Sequence, residues 1–177
     1  MEYRTATPSD IEAIAGLHAE SWRRNYRGAF ADSYLDGDVY TDRLAVWRDR
    51  LTLPDSNNYT VVADLDGVVV GFAHTIFDDD PTWGALLDNL HAAHYVKRQG
   101  IGTSLMSETA RALVEERPAR GLYLWVLEQN TPAQAFYDAR GGKAVGHETG
   151  GPFPGGGTAP SIRYAWPDPR ILIVQGL

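Results

Sequence analysis

The chain has 177 residues, of which 44% are hydrophobic and 22% are charged, the composition of an ordinary globular protein. This length predicts one domain over residues 1–177, with an irregular C-terminal tail at 167–177. The absence of cysteine excludes disulfides, thiolate metal sites and a cysteine nucleophile. The formal net charge of −7 argues against nucleic acid as the main partner and is compatible with a cationic small substrate.

The first residues, MEYRTATPSD, lack the basic and apolar regions of a signal peptide. No apolar run reaches the length that spans a membrane. We therefore expect a cytoplasmic protein that does not enter a membrane.

The sequence of the first half of the chain predicts two helices and four strands. Pro8, Ser9 and Asp10 precede a helix-periodic series of apolar residues that begins at Ile11. Asp66-Gly67 is a dipeptide favoured in tight hairpin turns, and it divides an apolar run into two strands. In chain order the predicted elements are a strand at 1–6, a helix from 11 to about 22, an irregular aromatic and basic segment at 21–38, a helix at about 39–51, two strands within 59–77 and a strand at 85–94.

The second half predicts a strand–helix–strand crossover followed by a short helix and a hairpin. Thr131 is the expected N-cap of the short helix, Pro132 its first residue, and Gly141-Gly142 its end. The predicted elements are a helix at about 101–116, a buried strand within 121–130, the short helix within 131–142 and strands at 143–149 and 159–166. Together they indicate an α/β protein with a mixed sheet.

Residues 97–106, KRQGIGTSLM, place two glycines one residue apart where a helix is predicted to begin. The first N–H groups of a helix have no partner within it, and glycine lets an oxyanion approach them. Lys97 and Arg98 add positive charge, and Thr103 and Ser104 add hydroxyl donors. The segment predicts a phosphate site, although a glycine turn without a ligand has the same pattern, and it matches neither the dinucleotide nor the Walker motif.

This segment resembles motif A of the Gcn5-related N-acetyltransferases, the GNAT superfamily. In that family the pattern is Gln/Arg-x-x-Gly-x-Gly/Ala, and its amides hold the pyrophosphate of acetyl-coenzyme A. The first position here is Lys97, which keeps a donor but not a planar one. The resemblance implies a cofactor-binding segment made of Lys97, Arg98, Gln99, Gly100, Ile101, Gly102, Thr103 and Ser104.

A second block, LYLWVLEQNTPAQAFYDARGG, resembles the next strand and helix of the same family, and the likeness covers about residues 2–166. It implies the GNAT fold, with a mixed, mostly antiparallel sheet of about seven strands flanked by about four helices. Tyr137 would take the family's general-acid position, unless it is only a core aromatic beside Phe136. The cofactor contacts implied outside the glycine segment come from Ala92, Ala93, Asn130, Phe136 and Tyr137.

The general base is less clearly marked. If side chains alternate along the strand, Asp88, Leu90 and Ala92 share one face and Leu87, Asn89 and His91 the other. Some family members carry an acidic residue near Asp88, and the imidazole of His91 titrates in a useful range. Either residue can instead be structural, with a water relay in place of a dedicated base. His91 and His94 are not expected to form a metal site, and no metal is expected elsewhere.

The acceptor pocket is expected between the N-terminal helices, the hairpin and the loop GGPFPGGG. Its candidate side chains are Trp22, Tyr26, Tyr34 and Trp83. The alternative is that these aromatic residues pack helices onto the sheet. The run Asp78-Asp79-Asp80 can attract a cationic amine, or it is a solvated hairpin end.

The resemblance implies an N-acetyltransferase that moves an acetyl group directly from acetyl-CoA to a primary amine of a small molecule, such as a polyamine, an amino acid or an amine antibiotic. The alternatives are acetylation of a protein N-terminus or lysine, and a silent CoA-binding regulatory module. Many family members dimerise through C-terminal strands. The run ILIV at 171–174 is therefore a candidate either for homodimer pairing or for folding back onto its own sheet.

Overall fold

A single sheet of seven strands organises the chain, and a computed structural model describes residues 1–53, 55–96 and 98–174. The strands lie in the order β1-β2-β3-β4-β5-β7-β6, and only the β4–β5 pair is parallel. The predicted α/β class, with a mixed and mostly antiparallel sheet, is confirmed. The strands are β1 (Glu2–Thr5), β2 (Asn58–Leu65), β3 (Val68–Asp80), β4 (Gly84–Ala92), β5 (Leu122–Leu127), β6 (Lys143–Gly150) and β7 (Ala159–Trp166).

Helices cover both faces of this sheet. They are α1 (Ile11–Asn25), α2 (Asp32–Asp36), α3 (Val39–Thr52), α4 (Ile101–Glu116) and α5 (Thr131–Asp138). The predicted bounds of α4 are confirmed, whereas α1 continues past residue 22 and α2 falls in a segment predicted to be irregular. None of the helices in the described ranges is long and apolar enough to cross a bilayer.

The β2–β3 hairpin turns where the sequence indicated. Asp66 and Gly67 both have positive φ, of 53° and 86°, the backbone conformation of the two-residue turns that match strand twist. The Asp64 carboxylate accepts a hydrogen bond from the Gly67 N–H at 2.7 Å. This hairpin sets the register between the two long central strands β2 and β3, and β3 pairs on its other edge with β4.

The main core lies between the sheet and α4. Leu105, Met106, Ala110 and Leu113 recur on one face of the helix and are fully buried. At Gly71 of β3 the helix comes so close that an added Cβ would lie 2.9 Å from a methyl group of Ile101. The start of α4 is therefore held tightly against the sheet, next to the end of β4.

The opposite face of the sheet packs against α1 and α3. Ile14 and Trp47 are fully buried here against Val62 and Phe72 of the central strands. The polar side chain of His18 is buried with them. It accepts a hydrogen bond from the Trp47 indole N–H at 3.0 Å. This face of the sheet therefore buries neutral hydrogen-bonding groups among its apolar side chains.

The N-cap of α5 is Asn130, so the prediction of Thr131 at that position is wrong. The Asn130 side-chain oxygen accepts a hydrogen bond from the Ala133 N–H at 3.3 Å. Thr131 and Pro132 begin the helix itself. The physical reason is that asparagine is also a good N-cap residue. Because β5 ends at Leu127, Asn130 lies outside the strand and can take the N-cap position.

The strict alternation predicted for β4 is also wrong. His74 of β3 pairs with Asn89, but the next residue of β3, Thr75, pairs with Leu87, so Asp88 is an extra residue in the ladder. Such a bulge reverses the facing of residues on one side of it. Leu87 and Leu90 therefore pack in the same α4-side core, although the alternating pattern separates them.

The C-terminal segment folds back onto its own chain, but onto helix α4 rather than onto the sheet. Residues Pro169–Leu172 form a 3₁₀ turn that buries Leu172. The Val174 N–H donates to the Ser107 hydroxyl at 3.0 Å. Homodimerisation through this segment stays a prediction.

Three histidines, the fully buried His18 and His74 and the partly exposed His91, predict acid-sensitive stability. Burial lowers the pKa of His18 strongly and the pKa values of His74 and His91 to about 4 each, while the unfolded chain titrates near 6.5. Below pH 6.5 the unfolded state binds more protons, so the free energy of unfolding should fall by up to about 1.4 kcal/mol per pH unit and per histidine. Urea unfolding at several pH values between 7 and 5 measures this slope. His74→Gln should flatten it, whereas a flattening of equal size in the control His94→Gln, an exposed histidine, would contradict the assignment.

Candidate active site

The site begins where two neighbouring strands separate. β4 and β5 pair only at Ala85–Leu122 and Leu86–Tyr123, after which β5 continues with β7 as its partner. A cavity of about 600 Å³ follows between the separated strands. Its walls are formed by α1, the end of β4, the start of α4, β5 and α5. The Leu90–Ala92 main chain therefore borders the cavity on the side where a strand partner is missing.

The glycine segment closes one end of this cavity. Gly100 is the N-cap of α4 and has a φ of 82°, a backbone conformation that favours glycine. The first helical hydrogen bond runs from the Ser104 N–H to the Gly100 carbonyl at 3.0 Å. Among the described residues, the N–H groups of Ile101, Gly102 and Thr103 have no such partner, and they are positioned to bind an anion.

The second glycine of the motif has a packing role as well. A Cβ on Gly102 would lie 3.2 Å from the ring of Phe136, which belongs to α5. The starts of α4 and α5 are thus in close contact across the cavity. Gly102 serves helix packing in addition to leaving the backbone accessible.

Most of the predicted cofactor-binding residues line the cavity together. The lining members of that set are Ala92, Arg98, Gly100, Ile101, Gly102, Thr103, Asn130, Phe136 and Tyr137. Ala93 and Gln99 do not line it, and Ser104 is buried with its N–H inside the helix. Lys97 lies outside the described residues. The binding roles of these residues remain predictions, but their convergence on one cavity is a fact of the fold.

Arg140 is a cavity residue that the sequence analysis missed. It follows the end of α5, its guanidinium donates to the Thr103 hydroxyl at 2.6 Å, and it lies over the Phe136 ring with its Cζ atom 5.0 Å from the centroid. This brings a permanent positive charge to the amides at the start of α4. An arginine after a short helix has no sequence signal that links it to a segment almost forty residues earlier.

Two tyrosines meet at the inner part of the cavity. Tyr137 is buried, lines the cavity, and packs edge-on against Phe136. Burial raises its pKa above the ordinary value, and burial together with the Asp88 charge raises the pKa of Tyr26 to about 12. Both hydroxyls therefore remain protonated, and able to donate, throughout the neutral pH range.

His91 is placed in the cavity as a neutral group. Burial lowers its pKa to about 4, and the nearby Asp88 charge opposes that shift only in part. Its Nδ1 atom lies 2.8 Å from the Ser21 hydroxyl, so the tautomer determines which of the two donates. Its ring also packs against His18, with 4.8 Å between the centroids. His91 is therefore neutral at neutral pH, and a ring nitrogen can accept a hydrogen bond from an amine or a water in the cavity.

Asp88, in contrast, faces away from the cavity. Its carboxylate forms an ion pair with Arg50 of α3 at 2.7 Å, and it is not among the cavity residues. Asn89 accepts from the same guanidinium at 2.9 Å. The bulge that Asp88 makes in β4 directs it to this helix, which favours a structural role for the residue.

Of the four predicted acceptor residues, only Tyr26 lines the cavity. Trp22 is buried beneath the Arg43 guanidinium, which lies 4.3 Å from its ring centroid, and the Tyr34 hydroxyl donates to Asp42. Trp83 lies at a different place on the sheet, against Arg163. Trp125 of β5 is a lining residue that was not anticipated.

Sequence comparison relates the chain to acetyltransferases. The Acetyltransferase (GNAT) family profile matches residues 18–142. An uncharacterized N-acetyltransferase of Bacillus subtilis is 30% identical over 138 residues, which covers 77% of this chain and 76% of that protein. A probable N-acetyltransferase of Mycobacterium tuberculosis is 28% identical over 140 residues, with coverage of 77% and 76%.

Solved structures share the fold at lower identity. The PaiA N-acetyltransferase of Thermoplasma acidophilum, solved in complex with coenzyme A, superposes with a TM-score of 0.73 at 19% identity, covering 93% of this chain and 98% of that one. A ribosomal-protein-alanine N-acetyltransferase of Brucella melitensis superposes with a TM-score of 0.70 at 18% identity, with coverage of 94% and 99%. At these identities the likeness extends to the fold alone.

Proposed function

The chain belongs to the Acetyltransferase (GNAT) family and is an acetyl-CoA-dependent N-acetyltransferase, and we propose that its acceptor is the primary amine of a small molecule. The observation that carries the proposal is the cavity between the separated strands. It is bordered by free amides at one end and by Tyr137, Tyr26 and His91 further in. A cavity of about 600 Å³ has the size of a small-molecule site, and it must hold the acetyl end of acetyl-CoA and the acceptor together, which favours a compact acceptor.

The pyrophosphate of acetyl-CoA fits the start of α4. The N–H groups of Ile101, Gly102 and Thr103 would hold its oxygens, and Arg140 would neutralise part of its charge. The pantetheine arm carries amides that need hydrogen-bond partners. The main chain at Leu90–Ala92 pairs with β3 but has no partner on the β5 side, and the Asn130 side chain uses only its oxygen in the helix cap, so both can supply them. Acetyl-CoA enters this scheme as the substrate that supplies the acetyl group.

Transfer is direct, from the thioester to the amine. The chain contains no cysteine that could form an acetyl-enzyme thioester. The amine nitrogen attacks the thioester carbon and loses a proton. The carbon–sulfur bond then breaks, and the departing thiolate takes up a proton to become the thiol of coenzyme A. The enzyme must therefore place a proton donor near the sulfur and accept a proton from the amine.

Tyr137 is the proposed donor to the departing thiolate. Its hydroxyl has no hydrogen-bond partner among the described residues, and its pKa is raised by burial. A tyrosine that stays protonated throughout the neutral pH range can stabilise a thiolate by donating a hydrogen bond to it. Tyr26 lies close enough to influence the Tyr137 pKa, and we assign it to the acceptor side of the same space.

His91 is the proposed acceptor of the amine proton, either directly or through a water. It lies in the cavity wall opposite α5, whereas Asp88 is engaged by Arg50 outside the wall. Since His91 is uncharged at neutral pH, it does not repel an ammonium group that approaches it. Its contact with the Ser21 hydroxyl orients the ring.

The proposed function is tested by acetyl-CoA-dependent thiol release with a panel of amines and short peptides. Because the chain has no cysteine, every thiol detected comes from coenzyme A. We expect release with small amines, and we expect Tyr137→Phe to lower kcat by about 10²–10⁴-fold with little change in acetyl-CoA binding. Tyr95→Phe, at an exposed tyrosine outside this cavity, is the matched control. Release with peptides alone would refute the small-molecule acceptor, and full activity of Tyr137→Phe would remove its role.

The base assignment is tested by comparing His91→Gln with Asp88→Asn. Glutamine retains a polar side chain near Ser21 but cannot accept a proton at neutral pH, so kcat should fall by about 10²-fold or more. Asp88→Asn weakens a partly exposed ion pair with Arg50, and we expect activity within a few-fold of the unmodified protein. Steady-state kinetics with a good acceptor measures both. The reverse ranking, with Asp88→Asn the more damaged variant, would assign the base to Asp88.

A further inference from the structure

An arginine with an unusual environment lies on the sheet next to the cavity. Arg163 of β7 pairs in register with Trp125 of β5 on one side and with Gly146 of β6 on the other. Residues directly opposite each other on neighbouring strands share a face of the sheet. Arg163 and Trp125 therefore lie side by side, on the face away from the α4-side core that contains Val126 and Ile162.

Three aromatic rings surround the Arg163 guanidinium. Its Cζ atom lies 4.4 Å from the ring centroid of Trp125, 5.0 Å from that of Trp83 and 5.6 Å from that of Tyr123. These distances are those of cation–π contacts. The rings hold the guanidinium in one place, so a ligand that binds it need not order a flexible side chain.

No carboxylate of the described residues forms an ion pair with Arg163, and its Nε atom is buried without a hydrogen-bond partner. The acidic run nearby is occupied otherwise. Asp78 pairs with Arg117 at 2.7 Å, Asp79 accepts from the Tyr123 hydroxyl, and Asp80 accepts the backbone N–H groups at the turn before β4. Among the described residues Arg163 thus has no direct ion pair, and its charge acts only through space on the Asp80 carboxylate.

The position of this arginine connects it with the proposed reaction. Trp125 contacts Arg163 with its ring and also lines the cavity that contains Tyr26, His91 and Tyr137. The opposite neighbour, Gly146, has no side chain, and even a Cβ built there would lie 4.0 Å from an Arg163 terminal nitrogen. Arg163 itself is only partly buried. Arg163 is not itself a cavity residue, so an acceptor whose amine is in the cavity reaches the guanidinium only if it extends past Trp125.

We propose that Arg163 binds a carboxylate of the acceptor, so that the enzyme acetylates an amine that also carries a carboxylate, as an amino acid does. This inference rests on the proposed function and narrows its substrate class. A planar guanidinium matches a carboxylate with two parallel hydrogen bonds, and such charge-assisted bonds are the strong ones in proteins. A polyamine fits less well, because Arg163 repels additional positive charge and the acidic run already has its own partners.

The test compares acceptors that differ only in this group. The probes are α-amino acids, their primary amides and the corresponding decarboxylated amines, assayed by thiol release with saturating acetyl-CoA. We expect kcat/KM for the best amino acid to exceed that for its amide by about tenfold to one-hundredfold. Arg163→Gln should bring this ratio close to one. Arg163→Lys, which keeps the charge but not the planar fork, should retain part of it, and the exposed Arg48→Gln should leave the ratio unchanged.

A binding measurement keeps the inference testable if Arg163→Gln is unstable or if no acceptor in the panel turns over. With coenzyme A bound, N-acetyl amino acids should quench tryptophan fluorescence at concentrations about tenfold lower than their N-acetyl amides do, because Trp125 and Trp83 both contact Arg163. Arg163→Lys should reduce that difference.

Equal use of amides and amino acids, or equal quenching by the two products, would overturn the role of Arg163 while acetyl transfer stands. Failure to bind acetyl-CoA, together with no thiol release, would instead refute the proposed function itself.

Discussion

The separation of β4 from β5 after two residue pairs is the constraint on which the site depends. Two parallel strands that diverge leave backbone donors and acceptors without partners, and such groups are costly to bury unless something else bonds them. A ligand with amides along its length satisfies them. The divergence therefore creates both the space for an extended substrate arm and the hydrogen-bonding groups that hold it.

The two helices that follow the diverging strands complete this arrangement. α4 begins shortly after β4 ends, and α5 begins shortly after β5 ends, so both helix N-termini lie at the same edge of the sheet. Contact between Gly102 and Phe136 and the bond from Arg140 to Thr103 connect the two starts. The free amides, a guanidinium and the Tyr137 hydroxyl thus converge on one cavity without a dedicated loop.

The two faces of the sheet have different chemistry. The α4 side contains the largest apolar cluster, with the hydroxyls of Ser104, Ser107 and Thr109 buried beside it. The other side buries histidines and places arginines over indole rings, as Arg43 does on Trp22 and Arg50 on Trp47. Burial keeps His18 and His91 neutral, and of the two only His91 lines the cavity, where it adds a polar group without a charge. This second face contributes His91 and Tyr26 to the cavity.

The sequence by itself determined the elements whose signals are local. The turn at Asp66-Gly67, the helix over 101–116 and the start of that helix after Gly100 all follow from the properties of a few adjacent residues. Tertiary structure alone decided what depends on distant partners. The bulge at Asp88 needs the register of β3, the place of Arg140 needs the packing of α5 on α4, and the environment of Arg163 needs aromatic side chains from β5 and from the turn before β4. Local preference carries no information about such pairings, because each arises from contacts between segments far apart in the chain.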